Sequence, residues 1–401
     1  MKKVNLMALA TIVMALASCS QSDDIAGQPA ENLNEGLEPI QLNVSNPYSA
    51  SLTRGTGVVG GLTENDNVWR MQHVNIYMLN RGTTEFAYFN QQNMNAGIPI
   101  YAGADFVTPN GVVSDIASAA DGSIKYYPPS GNFDFWGYRL DDCVAEDAIV
   151  YKDSIVIPFT LDGSQDIMVG KAMPTANQLA TASQQAIDRV YSAYAARNGV
   201  QPDITFKHLL TRLTFQAQAR SSNVCDQEQG VYIDSVQIKT VAGARLTVAF
   251  TDAANISNVN EQIKFTGDSV YLYLKDSQVD EKGNLKKLEP VLPTWNFAEN
   301  RGDSVKIGES LMISAGDKYE LLFFVRQSKP SQVGGQAVPI YYQLPYTLTT
   351  DPNSTTPAPF LPGYSYNVLL SINGLQDIVI TATLEKWGDG GTINISPEDD
   401  M

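Results

Sequence analysis

Histidine is nearly absent: the 401-residue chain has two, His73 and His208. Cysteine is scarce, with three residues, and so is positive charge, with 27 Lys and Arg against 43 Asp and Glu. The net charge is −16, and no Lys/Arg-rich run is present. That excludes binding to nucleic acid through phosphate neutralisation. No H-E-x-x-H, C-x-x-C, G-x-S-x-G or phosphate-loop pattern occurs. Zinc-protease, dithiol, α/β-hydrolase and nucleotide chemistry therefore have no foothold, and neither a catalytic residue, a metal ligand nor a cofactor is assigned. His208 sits at the start of the alternating run "FKHLLTRL" and reads as a structural, hydrogen-bonded histidine. The acidic pairs Asp141/Asp142, Glu146/Asp147, Asp162/Asp166 and Glu398/Asp400 miss the calcium-loop spacing and read as solvated turns. Two carboxylates facing across a glycosidase cleft are not indicated. Trp69, Trp136, Trp295 and Trp387 are scattered singly among strand-like runs and read as core or edge anchors rather than a sugar-stacking platform.

What is present is β-forming residues. Hydrophobic residues make up 43% and charged residues 17%, with 19 Tyr and 14 Phe. This composition suits a globular β-rich chain with core enough for two domains. Strand-like runs recur between turn signals: "HVNIYMLN", "EFAYFNQ", "GSIKYYPPSGNFDFWGYRL" as two strands, "SIVIPFTL", "GVYIDSVQIKTV", "KYELLFFVRQS", "YSYNVLLSIN" and "DIVITATLEKW". No βαβ rhythm and no repeat at a fixed period appears. The pattern predicts an all-β protein, two Greek-key β-sandwiches in tandem, divided near Pro202 into residues 37–202 and 203–401. One helical insertion is expected over 181–198, with a capping box at Thr181 and Gln184, a packing stripe of Ile187, Val190, Tyr191 and Tyr194, and Gly199 at its end. Cys143 and Cys225 fall in different halves, as a disulfide or as two thiols.

The first 66 residues carry the most specific signals. "MKKVNLMALATIVMALASC" has a basic start, an apolar run too short to span a bilayer as a helix, and Cys19 at its end. This resembles a bacterial lipoprotein signal, residues 1–18, in which Cys19 becomes the acylated N-terminus. Losing residues 1–18 removes two lysines and no acid, so the net charge moves from −16 to −18. Asp23 and Asp24 resemble the acidic signal that sends Bacteroidetes lipoproteins to the outer face of the outer membrane. Residues 19–36 read as a flexible tether. Residues 39–45 alternate, with Ile40, Leu42 and Val44 on one face, as a half-buried strand. Residues 46–66 read as a loop of small residues, "NPYSASLTRGTGVVGGLTEND". From Cys19 to Trp69 its Arg54 is the sole Lys or Arg. A lone arginine among small residues suits a protease with an acidic specificity pocket.

The lipobox cysteine, the tether, one strand, the Thr-Arg-Gly loop and the β-rich halves, in that order, resemble the fimbrillin family of Bacteroidetes, the subunits of type V pili. The stretches "YYPPSGNFDFWGY", "DIMVGKA", "FKHLLTRLTF" and "PGYSYNVLLSINGLQDIVITATLEKWGDGG" share that family's style, and the helical stretch departs from it. The resemblance implies transthyretin-like sandwiches and a non-enzymatic, adhesive role. It implies a palmitate-bearing, outer-membrane-anchored precursor cut between Arg54 and Gly55 by an arginine-specific protease. Removing the strand of Ile40, Leu42 and Val44 would open a groove for a strand from another fimbrial subunit, giving an extracellular fimbrium. The candidate donor is 377–396, with Ile378, Ile380, Ala382 and Leu384 alternating, then Ile393 and Ile395 after a glycine turn. A permanent hairpin of the second half is the competing reading of that segment. Stalk and tip-adhesin roles stay open. A surface glycan-binding lipoprotein of a polysaccharide-uptake system is the alternative from another class.

Overall fold

The computed structural model describes residues 38–385 apart from 41, 46–72, 88–100, 106–125, 142 and short gaps at 228–229, 282–283, 328–330, 334–335, 339–340 and 375–376. All of them fall in the unit Glu38–Met401. Cys19, Arg54, Gly55, Ile393, Ile395, Trp69 and Trp387 lie outside the described residues.

The fold is all-β, with three short helices among the described residues. Strand Phe133–Arg139 shows why the first half takes its form. Its side chains are buried on both faces, because the sheet it belongs to is covered on both sides. Phe133 and Phe135 enter one core with Val74, Ile76, Met78 and Ile204. Trp136 and Tyr138 enter a second core with Tyr77, Ile155, Ile157 and Leu246. The sheet between these cores has seven strands, ordered Asn43–Ser45, Asp203–Thr205, Met168–Met173, Phe133–Arg139, His73–Asn80 and Tyr101–Asp105, with Lys207–His208 added to Met168–Met173. A five-stranded sheet built on Ser154–Thr160 and Gly243–Phe250 closes the second core.

Two glycines set the spacing of the first layer. Gly137 and Gly170 are opposite each other on adjacent strands. A Cβ on Gly137 would come within 2.5 Å of the Phe206 ring, and one on Gly170 within 2.6 Å of the Thr205 backbone oxygen. The missing side chains let Asp203–Thr205 and Phe206 settle onto the sheet. Gly170→Ala is therefore expected to lower stability by about 1–3 kcal/mol, read as a fall in the thermal unfolding midpoint. An unchanged midpoint would mean that this close approach is not required.

The second half packs a six-stranded sheet against a four-stranded one. Thr211–Ala219 lies at the centre of the larger sheet, parallel to Ser365–Gly374. The smaller sheet runs Ser269–Tyr273, Val231–Val241, Tyr319–Gln327, Tyr341–Leu348, all antiparallel. Phe215, Ile238, Phe323 and Leu370 fill the space between them.

Three local expectations resolve differently. The expected division at Pro202 does not coincide with a break in the sheets. Asp203–Thr205 and Lys207–His208 bond to the first-half strand Met168–Met173, and Gly243–Phe250 bonds along the length of Ser154–Thr160. The single helix over 181–198 is instead three: Ala176–Thr181, Gln184–Asp188 and Ala193–Arg197. Each begins at its own hydroxyl cap, Thr175, Ser183 and Ser192, and the capping box is Thr175 with Gln178. Thr181 is the last residue of the first helix and not a cap. The packing stripe stands: Tyr191 is buried, and Ile187, Val190 and Tyr194 pack against the same core. Gly199 follows the last helix with φ at 78°. Lastly, of "GSIKYYPPSGNFDFWGYRL" the first four residues lie outside the described residues; among the rest there is one strand, Phe133–Arg139, and Tyr126 makes an isolated bridge to Pro39.

Candidate functional site

The segment from Glu38 to Ser45 runs along the margin of the seven-stranded sheet. Its entry is held by an isolated bridge between Pro39 and Tyr126 and by the Tyr127 N–H donating to the Glu38 carbonyl at 2.9 Å. Ile40 and Leu42 then point inward, each 1% exposed, into the core of Val74, Ile76, Phe135 and Ile204. The helices cover the same face of the sheet and supply Ala186 and Ala195 to that core, with Tyr191 added from the link between two of them. Asn43–Ser45 follows, pairing in parallel with Asp203–Thr205, Val44 opposite Ile204. It is the terminal strand of the sheet order among the described residues. Three residues of parallel ladder form a slight attachment. Most of the hold comes from the two buried side chains, at about 1.5–3 kcal/mol each. The Glu38 carboxyl is pushed above the usual carboxylate range by burial, against the opposing pull of Arg197.

The C-terminal candidate is likewise marginal in its sheet. Asp377–Glu385 runs antiparallel to Ser365–Gly374 and ends the order of the six-stranded sheet among the described residues. Ile378, Ile380, Ala382 and Leu384 all fall on this strand. Ile380 is buried in the second-half core, and its carbonyl accepts from the Tyr346 hydroxyl of the facing sheet at 2.8 Å. Residues 377–385 thus occupy a hairpin within their own chain.

The remaining candidates have structural settings. His208 is fully buried and its Nδ1 lies 2.9 Å from Asp166 Oδ1. Arg139 joins the same cluster, reaching Asp141 Oδ1 at 2.7 Å and the Asp166 carbonyl at 3.3 Å. In the sequence Asp141 and Asp166 read as solvated turns. They are instead parts of this buried cluster, which spans strands and turns with no local signal. Asp162 bonds to Lys275 and to Ser164. Burial pushes its carboxyl up, but these bonds together hold it below the usual range. Trp136 is core, 4.9 Å from the Phe250 ring and beneath the Lys171 ammonium. Cys143 and Cys225 are both half-buried thiols. Among the described residues no group of three or more His, Cys, Asp or Glu could hold a metal ion.

The chain resembles solved fimbrial and adhesion proteins. One is a fimbrial protein from Bacteroides vulgatus, 13% identical over 87% of this chain and 99% of that one, with a TM-score of 0.43. Another is a candidate cell adhesion protein from Bacteroides uniformis, 13% identical over 88% and 99%, at 0.43. A third is a fimbrial anchor protein from Porphyromonas gingivalis, 9% identical over 88% and 100%, at 0.34. No family model matches the sequence, and no curated protein matches it.

Proposed function

We propose that this chain is a structural subunit of a cell-surface fimbrium, exported as a lipoprotein through Cys19, cut between Arg54 and Gly55, and polymerised by strand exchange as a stalk subunit. The observation that carries the reading is the placing of Ile40 and Leu42. They are core side chains on a segment that ends a sheet and is tied to it by a three-residue parallel ladder. Nine residues beyond that strand comes Arg54, the lone basic residue between Cys19 and Trp69. A cut there severs the segment from the rest of the fold. Its departure leaves an apolar groove beside the unpaired edge of Asp203–Thr205, and such an edge accepts another strand. A strand from a second subunit restores both the ladder and the burial. The edge strand Asp377–Glu385, with the residues that follow it to 396, is the donor on this reading. Head-to-tail exchange of this kind does not close on itself and builds a filament.

The partners are then other fimbrial subunits and an arginine-specific protease, with the outer membrane engaged only by the uncut precursor. Arg54→Ala tests this in the producing cell. The expected result is retention of the intact precursor at the outer membrane and loss of filaments by electron microscopy. Filaments of normal length from Arg54→Ala cells would contradict the reading.

A further inference from the structure

A second site lies in the other half of the chain, at the margin of the six-stranded sheet. There an open cleft of about 880 Å³ separates the 3-10 turn Ser222–Cys225 and the residues after it from the strand Thr294–Asn296. Its volume is within the range of small-molecule sites, about 300–1,000 Å³. Phe297 lines it and is 81% exposed, a large ring left in water. Trp295 lines it two residues earlier, half-buried against the second-half core. The residue paired across the strand from Trp295 is Gly302, which adds no side chain beside the indole. Asn223, Asp226 and Gln227 supply two carboxamides and a carboxylate from the other wall, all three exposed.

The walls are held by close backbone approaches. A Cβ on Gly302 would meet the Ala219 carbonyl oxygen at 2.1 Å, and one on Gly230 would meet the Asp226 carbonyl oxygen at 2.3 Å. Gly230 N–H donates to that same oxygen at 2.6 Å. The first approach sets the strand that pairs with Trp295 close against Ala219, and the second brings Gly230 against Asp226 within the polar wall.

We propose that this cleft binds a neutral saccharide, with a sugar ring stacked on Phe297 and Trp295 and its hydroxyls held by Asp226, Asn223 and Gln227. A pyranose has an apolar face of C–H bonds and a rim of hydroxyls. The first matches an exposed aromatic ring, and the second matches carboxamides and a carboxylate, which between them donate and accept. None of the described lining side chains is cationic, and the chain as a whole is strongly acidic. Sialylated and sulfated sugars are therefore disfavoured. Peptide addition is disfavoured as well, because the strand bordering the cleft is only three residues long. This site is independent of the fimbrial reading and would serve a stalk, a tip or a solitary surface lipoprotein equally.

The test is isothermal titration of the chain from Ser20 onward with neutral oligosaccharides of glucose, galactose, mannose and N-acetylglucosamine, and with sialylated and sulfated oligosaccharides. The expected result is binding of at least one neutral oligosaccharide. Phe297→Ala should weaken that binding about tenfold with the unfolding midpoint unchanged, since the ring is exposed. Asp226→Asn should weaken it without abolishing it. Absence of binding to every neutral oligosaccharide, binding confined to the anionic ones, or binding that survives Phe297→Ala at full strength overturns the proposal. None of these outcomes bears on filament formation.

Discussion

Leu42→Ala is expected to lower the unfolding stability of the uncut chain by about 2–5 kcal/mol. Leu42 is 1% exposed and packs in the core that also holds Ile40, Val74, Ile76, Phe135 and Ile204. Truncation removes its transfer energy and leaves a void, and both terms act against the fold. Ile40→Ala is expected to cost a similar amount. The double variant should fall short of the sum, because the two side chains share one core. The measurement is a denaturant unfolding curve of each uncut variant. A second effect follows in the cut protein. The piece that ends at Arg54 is then held only by its own contacts, so weakening them speeds its loss. A deficit of about 2 kcal/mol placed in the off-rate makes the loss about thirtyfold faster. Filaments should then appear sooner after cutting. A Leu42→Ala change of less than about 0.5 kcal/mol would mean that the segment contributes little to the fold, and that its removal opens no groove of consequence.

The second large effect is expected at Asp166. This carboxylate is fully buried, paired with His208 at 2.9 Å and placed 3.8 Å from Arg139 Nη1. Its backbone N–H donates to Asp141 Oδ2 at 3.2 Å. Asp166→Ala removes the negative partner from a buried cluster that still contains Arg139. Arg139 keeps Asp141 at 2.7 Å, so the cost sits at the lower end of the about 3–5 kcal/mol of a broken buried pair, still well above any exposed ion pair of the surface. The cluster also lies where the two halves of the chain meet. Leu209 N–H donates to the Ile167 carbonyl and Met312 N–H to the Gly163 carbonyl. The loss should therefore lower the unfolding midpoint of the whole unit rather than of one half, as read by near-ultraviolet dichroism and tryptophan fluorescence together. The exposed pair Lys239–Glu320 serves as the control and should barely register when broken. Equal stability of Asp166→Ala and the parent chain would contradict a structural role for the cluster.

Much of the fold was legible because period-two alternation is a local property. "HVNIYMLN" corresponds to His73–Asn80 and "GVYIDSVQIKTV" to Val231–Val241, within a residue at either end. The buried positions Ile40 and Leu42 were legible for the same reason, since they alternate before a run of small residues. The helical stretch was legible as helical but not in its parts. The spacing Thr-x-x-Gln occurs at Thr175/Gln178 and again at Thr181/Gln184, and local sequence does not say which one forms the box. Strand partners were not legible. Nothing near Gly243 announces that this strand crosses to Ser154–Thr160, because pairing is decided by the packing of distant faces. The Arg139, Asp141, Asp166 and His208 cluster was hidden similarly, its members brought together by strands that only the tertiary fold aligns. Trp295 looked like an ordinary edge anchor. Its relation to Phe297 and to Asp226 is a property of the cleft, and the one sequence signal was two aromatic residues two positions apart.

The most direct test of the central claim is digestion of the chain from Ser20 onward with a trypsin-type protease, with mass spectrometry of the new N-terminus and electron microscopy before and after. Arg54 is the sole site for such a protease before Arg70. The account expects a new N-terminus at Gly55, monomers before the cut and fibres after it. A chain in which Arg54 resists while other sites are cut, or one cut after Arg54 that stays monomeric, contradicts it.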